Sequence, residues 1–159
     1  MKTLILGLGN DLFGDDGVGN HVVRLLLQWR EEGDAEAVFL DGYDLLECSL
    51  TGLKLLDVIE GYDRVILIDT IKRSQPITGR VSHLRGDELR HIPGPSPHYV
   101  SIPQALEIGR RCGMHVPERI DVIAVEAKDL YHMGEGLTQE MTAAIPEIIT
   151  SLKGLLEDR

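Results

Sequence analysis

The chain has 159 residues and a mass of 17.6 kDa, which suits one domain of ordinary size. Its 16 Lys and Arg against 26 Asp and Glu leave a formal net charge of −10. A surface this acidic repels phosphate backbones and anionic lipid headgroups, so we expect no nucleic-acid partner and no membrane partner. No apolar run approaches the roughly 20 residues of a transmembrane helix. The apolar run at residues 4–6 is also too short for a secretory signal, which predicts a cytoplasmic protein.

Short β-rich apolar runs alternate with longer helix-like segments along the chain. This alternation is typical of an α/β domain with a mainly parallel sheet and helices on both faces. We predict a single domain over residues 1–159 with a twisted sheet of about five strands. The predicted strands are residues 3–7, 37–41, 64–69, 79–84 and 120–126. The predicted helices are residues 15–30, 49–60, 102–112 and 138–156, and a polar, proline-rich loop is expected at residues 86–97.

Acidic residues lie at or just after the ends of four predicted strands: Asp15 and Asp16, Asp41, Asp69 and Glu126. In open α/β sheets ligands bind beyond the carboxyl ends of the strands, and these ends meet at one edge when the strands are parallel. Aspartate commonly ends strands and caps helices, so each residue alone has an ordinary structural explanation. Acidic residues at the ends of four strands together favour an acidic functional site.

A cluster of carboxylates is stabilised by a cation because its charges repel one another. Carboxylates alone favour hard ions, whereas an added imidazole shifts the preference to zinc, nickel or manganese. Among the six histidines, His98 is the best ligand candidate, because Ser96-Pro97-His98 ends a loop that three prolines stiffen before a predicted helix. The residues alone leave open whether His98 completes a His-Asp-Asp site.

The glycine-rich turn at residues 7–12 follows a strand and precedes a helix, as a dinucleotide-binding turn does. Leu12 replaces the third glycine of that motif, and Asp15 and Asp16 would repel a diphosphate at the helix N-terminus. Asp41 resembles a ribose-binding acid in position, so a dinucleotide enzyme stays as a less favoured alternative. The chain has no G-x-S-x-G or H-E-x-x-H motif, so serine-hydrolase and ordinary zinc-peptidase chemistry have no sequence support.

The two cysteines, Cys48 and Cys112, are too few for a disulfide framework or a four-thiolate zinc site. We interpret both as small buried or half-buried thiols. A cysteine nucleophile is the less favoured alternative, because neither residue has a histidine in an obvious partnering motif.

The opening motif of the chain resembles the G-x-G-N-x-L-x-x-D-[DE]-G-x-G start of the nickel–iron hydrogenase maturation endopeptidases. It reads Leu6-Gly7-Leu8-Gly9-Asn10-Asp11-Leu12-Phe13-Gly14-Asp15-Asp16-Gly17-Val18-Gly19. The strand that ends in Asp69, the segment Ser96-Pro97-His98 and the last helix are similar to further features of that family. The resemblance covers nearly the whole chain.

The resemblance implies that Asp16, Asp69 and His98 are the metal-contacting trio. It further implies an endopeptidase that cuts the C-terminal extension from a nickel–iron hydrogenase large-subunit precursor after nickel insertion. The trio would recognise the nickel of the substrate precursor, so no permanently bound metal is required. We predict Asp16, Asp69 and His98 as catalytic residues, Asp41 as a proton acceptor, and a monomer.

Two departures from the family pattern bear on specificity. The family often follows its second-strand aspartate with Gly-Gly-Thr, whereas this chain has Asp41-Gly42-Tyr43-Asp44, and this segment is predicted to read the precursor. Glu126 is followed by Ala127, where relatives commonly have proline. A non-catalytic nickel-binding or delivery module is the alternative function. A related germination-type peptidase would share the sheet but not the opening motif.

Overall fold

Five strands and four α-helices make up the part of the chain that this computed structural model describes, residues 1–86, 88–91 and 100–158. The strands are β1 (Thr3–Leu8), β2 (Asp44–Cys48), β3 (Arg64–Ile71), β4 (Val81–Arg85) and β5 (Arg119–Glu126). The helices are α1 (Val18–Glu32), α2 (Leu56–Ile59), α3 (Ile102–Arg111) and α4 (Gln139–Glu157). Short 3₁₀ helices lie at Gly14–Gly17, Ala35–Leu40, Gly52–Leu55 and Glu88–His91.

The described strands form one sheet in the order β2-β1-β3-β5-β4. The first four of these run parallel, and β4 pairs antiparallel with β5. The predicted α/β class with a mainly parallel, five-stranded sheet is therefore confirmed. None of the helices within the described ranges is long and apolar enough to cross a membrane.

Each face of the sheet carries its own hydrophobic core, because successive side chains of a strand point to opposite faces. In β3, Ile66 and Ile68 pack into the core beneath α1 and α4. Val65 and Leu67 pack into the other core, beneath α2 and α3. Both faces are covered, as parallel sheets require.

The prediction of a strand at residues 37–41 is wrong. The segment Ala35–Leu40 is a 3₁₀ helix, whose first turn is capped by the Asp34 side chain accepting a hydrogen bond from the Glu36 amide at 2.9 Å. Ala37 and Leu40, three residues apart, are buried, whereas Val38 is 66% exposed. This spacing is helical, and the strand of this region is β2, which starts at Asp44.

Other element boundaries differ from the prediction by smaller amounts. The predicted helix 49–60 is a 3₁₀ turn that continues into the one-turn helix α2. The predicted helix 15–30 likewise starts as a 3₁₀ turn before α1. The helix α4 continues through Pro146, and Thr150 Oγ1 donates to the Pro146 carbonyl at 2.9 Å. Both cysteines are free thiols. Cys48 is buried at the end of β2, as interpreted, whereas the interpretation of Cys112 as a buried or half-buried thiol is wrong, because Cys112 is exposed.

A buried ion pair joins the amino ends of β3 and β5 to the end of α4. The Arg64 guanidinium lies 2.8 Å from Asp121 Oδ2 and also donates to the Leu155 carbonyl at 2.8 Å. Both side chains are almost fully inaccessible to solvent. Burial acts to raise the pKa of Asp121, but hydrogen bonds from Arg64 and His83, together with the charges of Arg64 and Arg119, outweigh it and hold the pKa below its ordinary value.

We expect Asp121→Asn to lower the free energy of unfolding by about 3 kcal/mol at neutral pH, because it leaves the Arg64 charge buried without its partner. Since the folded-state pKa of Asp121 is lowered, the stability that its charge contributes is lost as pH falls below about 4. The difference between wild type and variant in urea unfolding should therefore shrink in acid. As a control, Glu107→Gln removes the exposed Arg111–Glu107 pair and should cost at most about 0.5 kcal/mol. Equal costs for the two variants would contradict this prediction.

Candidate functional site

The glycines of the opening motif let α1 begin in direct contact with the sheet. A Cβ atom on Gly19 would collide with the carbonyl oxygens of Ile68 in β3 and Leu8 in β1. A Cβ atom on Gly9, whose φ is 144°, would collide with the carbonyl oxygen of Asp16. Only glycine permits these approaches, and they hold the turn that carries Asp16 at the carboxyl edge of β1 and β3.

The Asp16 carboxylate is held by two donors. Its Oδ2 accepts a hydrogen bond from the backbone amide of Asn10 at 2.9 Å, and its Oδ1 accepts one from the Thr70 hydroxyl at 2.9 Å. Asn10 belongs to the glycine-rich turn after β1, and Thr70 follows Asp69 in β3. The side chain of Asp16 is therefore fixed in orientation and still half-buried.

Asp69 lies beside Asp16 at the same edge of the sheet. The pKa of Asp69 is raised from 3.8 to about 7, chiefly by burial and in smaller part by the nearby charge of Asp16. A hydrogen bond from the Thr70 backbone amide at 2.8 Å acts in the opposite direction. The two carboxylates repel each other, as the effect of the Asp16 charge on the pKa of Asp69 indicates, and a cation between them would relieve both the repulsion and the burial penalty. The pair is the strongest candidate for a cation-contacting group in the described residues.

Two of the other acids predicted at this edge, Asp15 and Glu126, have partners within the fold. Asp15, next to Asp16, accepts hydrogen bonds from the amide and hydroxyl of Thr138, at 2.7 and 2.9 Å, and so fixes the start of α4. Glu126 is buried, lies 3.2 Å from the Arg73 guanidinium and accepts a hydrogen bond from the Ile77 amide. These partners give Asp15 and Glu126 structural roles.

The structure does not bring Asp41 to this edge, so its predicted position is wrong. Asp41 is exposed and precedes β2, whose Asp44 pairs with Leu4 near the start of the parallel strand β1. Asp41 therefore lies at the amino end of the sheet, opposite the carboxyl end where Asp16 and Asp69 meet. The same placement separates Gly42 and Tyr43 from the acidic pair.

His98 lies outside the described residues, so its predicted contact with the acidic pair stays a prediction. Among the side chains that the structure describes, no group of three His, Cys, Asp or Glu residues is arranged to hold a metal ion. The structure thus brings together two of the three residues of the predicted trio, Asp16 and Asp69. Thr70 was missed by sequence reasoning, although its position directly after a strand-end aspartate was visible in the chain.

The glycine-rich turn is poorly suited to a dinucleotide. The Asn10 amide already binds the Asp16 carboxylate in the place where a phosphate oxygen would be needed. Asp41 lies at the wrong end of the sheet for a ribose-binding acid, because ligands of such sheets bind at the carboxyl ends. Both observations disfavour the dinucleotide alternative.

Comparison with known protein sequences gives matches over nearly the whole chain. A sequence model of a family described as hydrogenase maturation protease, HycI, matches residues 25–154. The hydrogenase expression/formation protein HupD of Rhizobium leguminosarum bv. viciae is 30% identical over 152 residues, which are 93% of this chain and 70% of that protein. The hydrogenase 2 maturation protease of Escherichia coli is 25% identical over 158 residues, which are 96% of this chain and 92% of that protein.

Solved structures with the same fold come from proteins with related descriptions. The hydrogenase maturating endopeptidase HybD from E. coli superimposes with a TM-score of 0.79 at 24% identity, covering 99% of this chain and 93% of that one. The [NiFe] hydrogenase maturation protease HybD from Thermococcus kodakarensis gives a TM-score of 0.65 at 25% identity, covering 98% and 99% of the two chains. The fold of this chain is therefore that of these endopeptidase structures.

Proposed function

The chain belongs to the hydrogenase maturation protease family, and from this premise we propose that it removes the C-terminal extension of a nickel–iron hydrogenase large-subunit precursor. Its membership confirms the resemblance seen in the sequence and identifies it as a peptidase. The proposed partner is the nickel-loaded precursor, on which the enzyme acts as a monomer in the cytoplasm.

The observation that carries this proposal is the meeting of Asp16 and Asp69 at the carboxyl edge of the sheet. Two neighbouring carboxylates, one of them with a raised pKa, suit a site that binds a cation when the substrate brings one and holds no cation between reactions. The cation in the proposed reaction is the nickel of the precursor, which is part of the substrate. His98 is the proposed third contact, since an imidazole shifts the preference of carboxylates toward nickel.

In the proposed mechanism, recognition of the precursor's nickel places the scissile peptide. Asp16 is held by the Asn10 amide and the Thr70 hydroxyl, so it can meet the metal without reorganising. Asp69 gives up its proton when the metal arrives, because a nearby cation lowers the pKa of a carboxylate. Cleavage then depends on nickel, since a nickel-free precursor offers the acidic pair nothing to neutralise its charge.

The test is incubation with nickel-loaded and nickel-free large-subunit precursor, followed by the mass of the precursor's C-terminus. We expect shortening of the nickel-loaded form alone. We expect His98→Ala to abolish that shortening with the fold intact, because it removes the proposed third contact with the metal. His21→Ala is the matched control, since His21 is exposed on α1, and it should leave processing unchanged.

Each of the other outcomes contradicts part of the proposal. Undiminished shortening by His98→Ala would remove His98 from the mechanism. Equal shortening of both precursor forms would contradict nickel recognition. Tight nickel binding without any shortening would favour the alternative function, a nickel-binding or delivery module.

A further inference from the structure

Thr70 is hydrogen-bonded to both members of the acidic pair. Its hydroxyl donates to Asp16 Oδ1 at 2.9 Å, and its backbone amide donates to Asp69 Oδ1 at 2.8 Å. Successive side chains of β3 alternate between the faces of the sheet, so Thr70 shares a face with Ile68, beneath α1, and Asp69 shares the opposite face with Leu67. The two acids thus approach from different faces, and Thr70 joins them across the edge.

We propose that Thr70 is a positioning residue that sets the Asp16 carboxylate toward Asp69, so that both acids meet the nickel of the precursor in one preformed geometry. This inference rests on the proposed function. Thr70 acts through Asp16 and has no contact of its own with the substrate. The comparisons assign no role to this residue, and the resemblance in the sequence did not single it out.

The hydroxyl of Thr70 is the part of the side chain that this role needs. A hydroxyl can donate one hydrogen bond, and the Thr70 hydroxyl donates it to Asp16 Oδ1, which gives the bond a defined direction. The branched side chain of threonine is stiff about χ1, so the bond is held in one direction. With the Thr70 hydroxyl on Oδ1 and the Asn10 amide on Oδ2, each oxygen of Asp16 keeps a lone pair for a metal.

Loss of the hydroxyl would leave Asp16 with the Asn10 amide as its one remaining donor among the residues that the structure describes. The carboxylate could then turn about its side-chain bonds and away from Asp69. Partners that orient the ligands of a metal typically contribute 10–100-fold to affinity or activity. The effect should fall on recognition of the nickel-loaded precursor, because Asp16 is the proposed contact with the nickel and Thr70 acts through it.

The experiment compares Thr70→Val, which keeps the shape and removes the hydroxyl, with Thr70→Ser, which keeps the hydroxyl. We expect Thr70→Val to lower kcat/KM for the nickel-loaded precursor by about 10–100-fold, mostly through a higher KM. We expect Thr70→Ser to retain kcat/KM within about threefold of wild type. Thr150→Val is the matched control, because its exposed hydroxyl donates to the Pro146 carbonyl within α4, and it should change neither constant.

Three results would overturn the inference: wild-type kcat/KM in Thr70→Val, equal losses in the valine and serine variants, or a loss confined to kcat. The first would mean that the hydroxyl is not needed, the second that shape alone matters, and the third that nickel recognition is untouched. Thermal unfolding of each variant confirms that the proteins compared are folded. Failure of the proposed function itself is distinguishable, since the wild-type protein would then leave the precursor uncut.

Discussion

Asp69→Asn is expected to slow processing of nickel-loaded precursor by more than about 100-fold, while it makes the metal-free protein more stable at neutral pH. The activity is lost because an amide has no negative charge for the metal, and loss of a direct contact should exceed the cost of losing an orienting partner. The stability is gained because the ionised Asp69 carboxylate is partly buried and lies beside Asp16.

The pH dependence of stability follows from the direction of the pKa shift. The pKa of Asp69 is raised from 3.8 to about 7 on folding, so between these values the folded protein holds a proton that the unfolded chain has released. The free energy of unfolding therefore falls as pH rises through this window, by on the order of 2–4 kcal/mol, and is level above it. Asp69→Asn lacks this decline. The free energies of unfolding of the variant and the wild type should therefore differ most at about pH 8 and least at about pH 4.

Urea unfolding across this pH range, with a chelator present to keep the protein free of metal, measures the stability. Precursor cleavage followed by mass measures the activity. Asp41→Asn is the matched control, because Asp41 is exposed at the opposite end of the sheet, and it should change neither the activity nor the pH profile. An Asp69→Asn protein that keeps wild-type activity would remove Asp69 from the site.

Gly19→Ala is expected to cost about 4 kcal/mol or more, which is a large fraction of the stability of a domain of this size. The added methyl group would collide with the carbonyl oxygens of Ile68 and Leu8. Both oxygens belong to the backbone of central strands, which cannot move aside as a flexible side chain would. The start of α1 would have to lift away from the sheet, and Asp16, three residues earlier, would leave the acidic pair.

Gly154→Ala is the matched control for this prediction. Gly154 also lies within a helix, α4, but a Cβ atom there meets open space. Alanine is the better helix former, so the control should raise the free energy of unfolding by about 0.5–1 kcal/mol. Urea unfolding compares the two variants, and a Gly19→Ala protein as stable as wild type would contradict the close approach of α1 to the sheet.

The alternation of strand-like and helix-like segments was enough to predict the parallel sheet, because burial on both faces leaves long apolar runs in the strands. It was not enough at residues 37–41. A short apolar run between turns has the same composition in a buried helix and in a strand, and here the Asp34 cap and the burial of Ala37 and Leu40 favour the helix. The error moved Asp41 from one end of the sheet to the other.

The sequence by itself identified Asp16 and Asp69 as site residues through the family resemblance, and both lie toward the carboxyl ends of the central parallel strands β1 and β3. It also identified the family, through a motif whose glycines allow helix and strand backbones to touch. Only the tertiary structure decided that Asp15 holds Thr138, the N-cap of α4, while its neighbour Asp16 enters the site, and that Thr70 joins the two acids. These roles depend on which partner each side chain faces across the fold, and such contacts between distant residues leave no mark on local spacing.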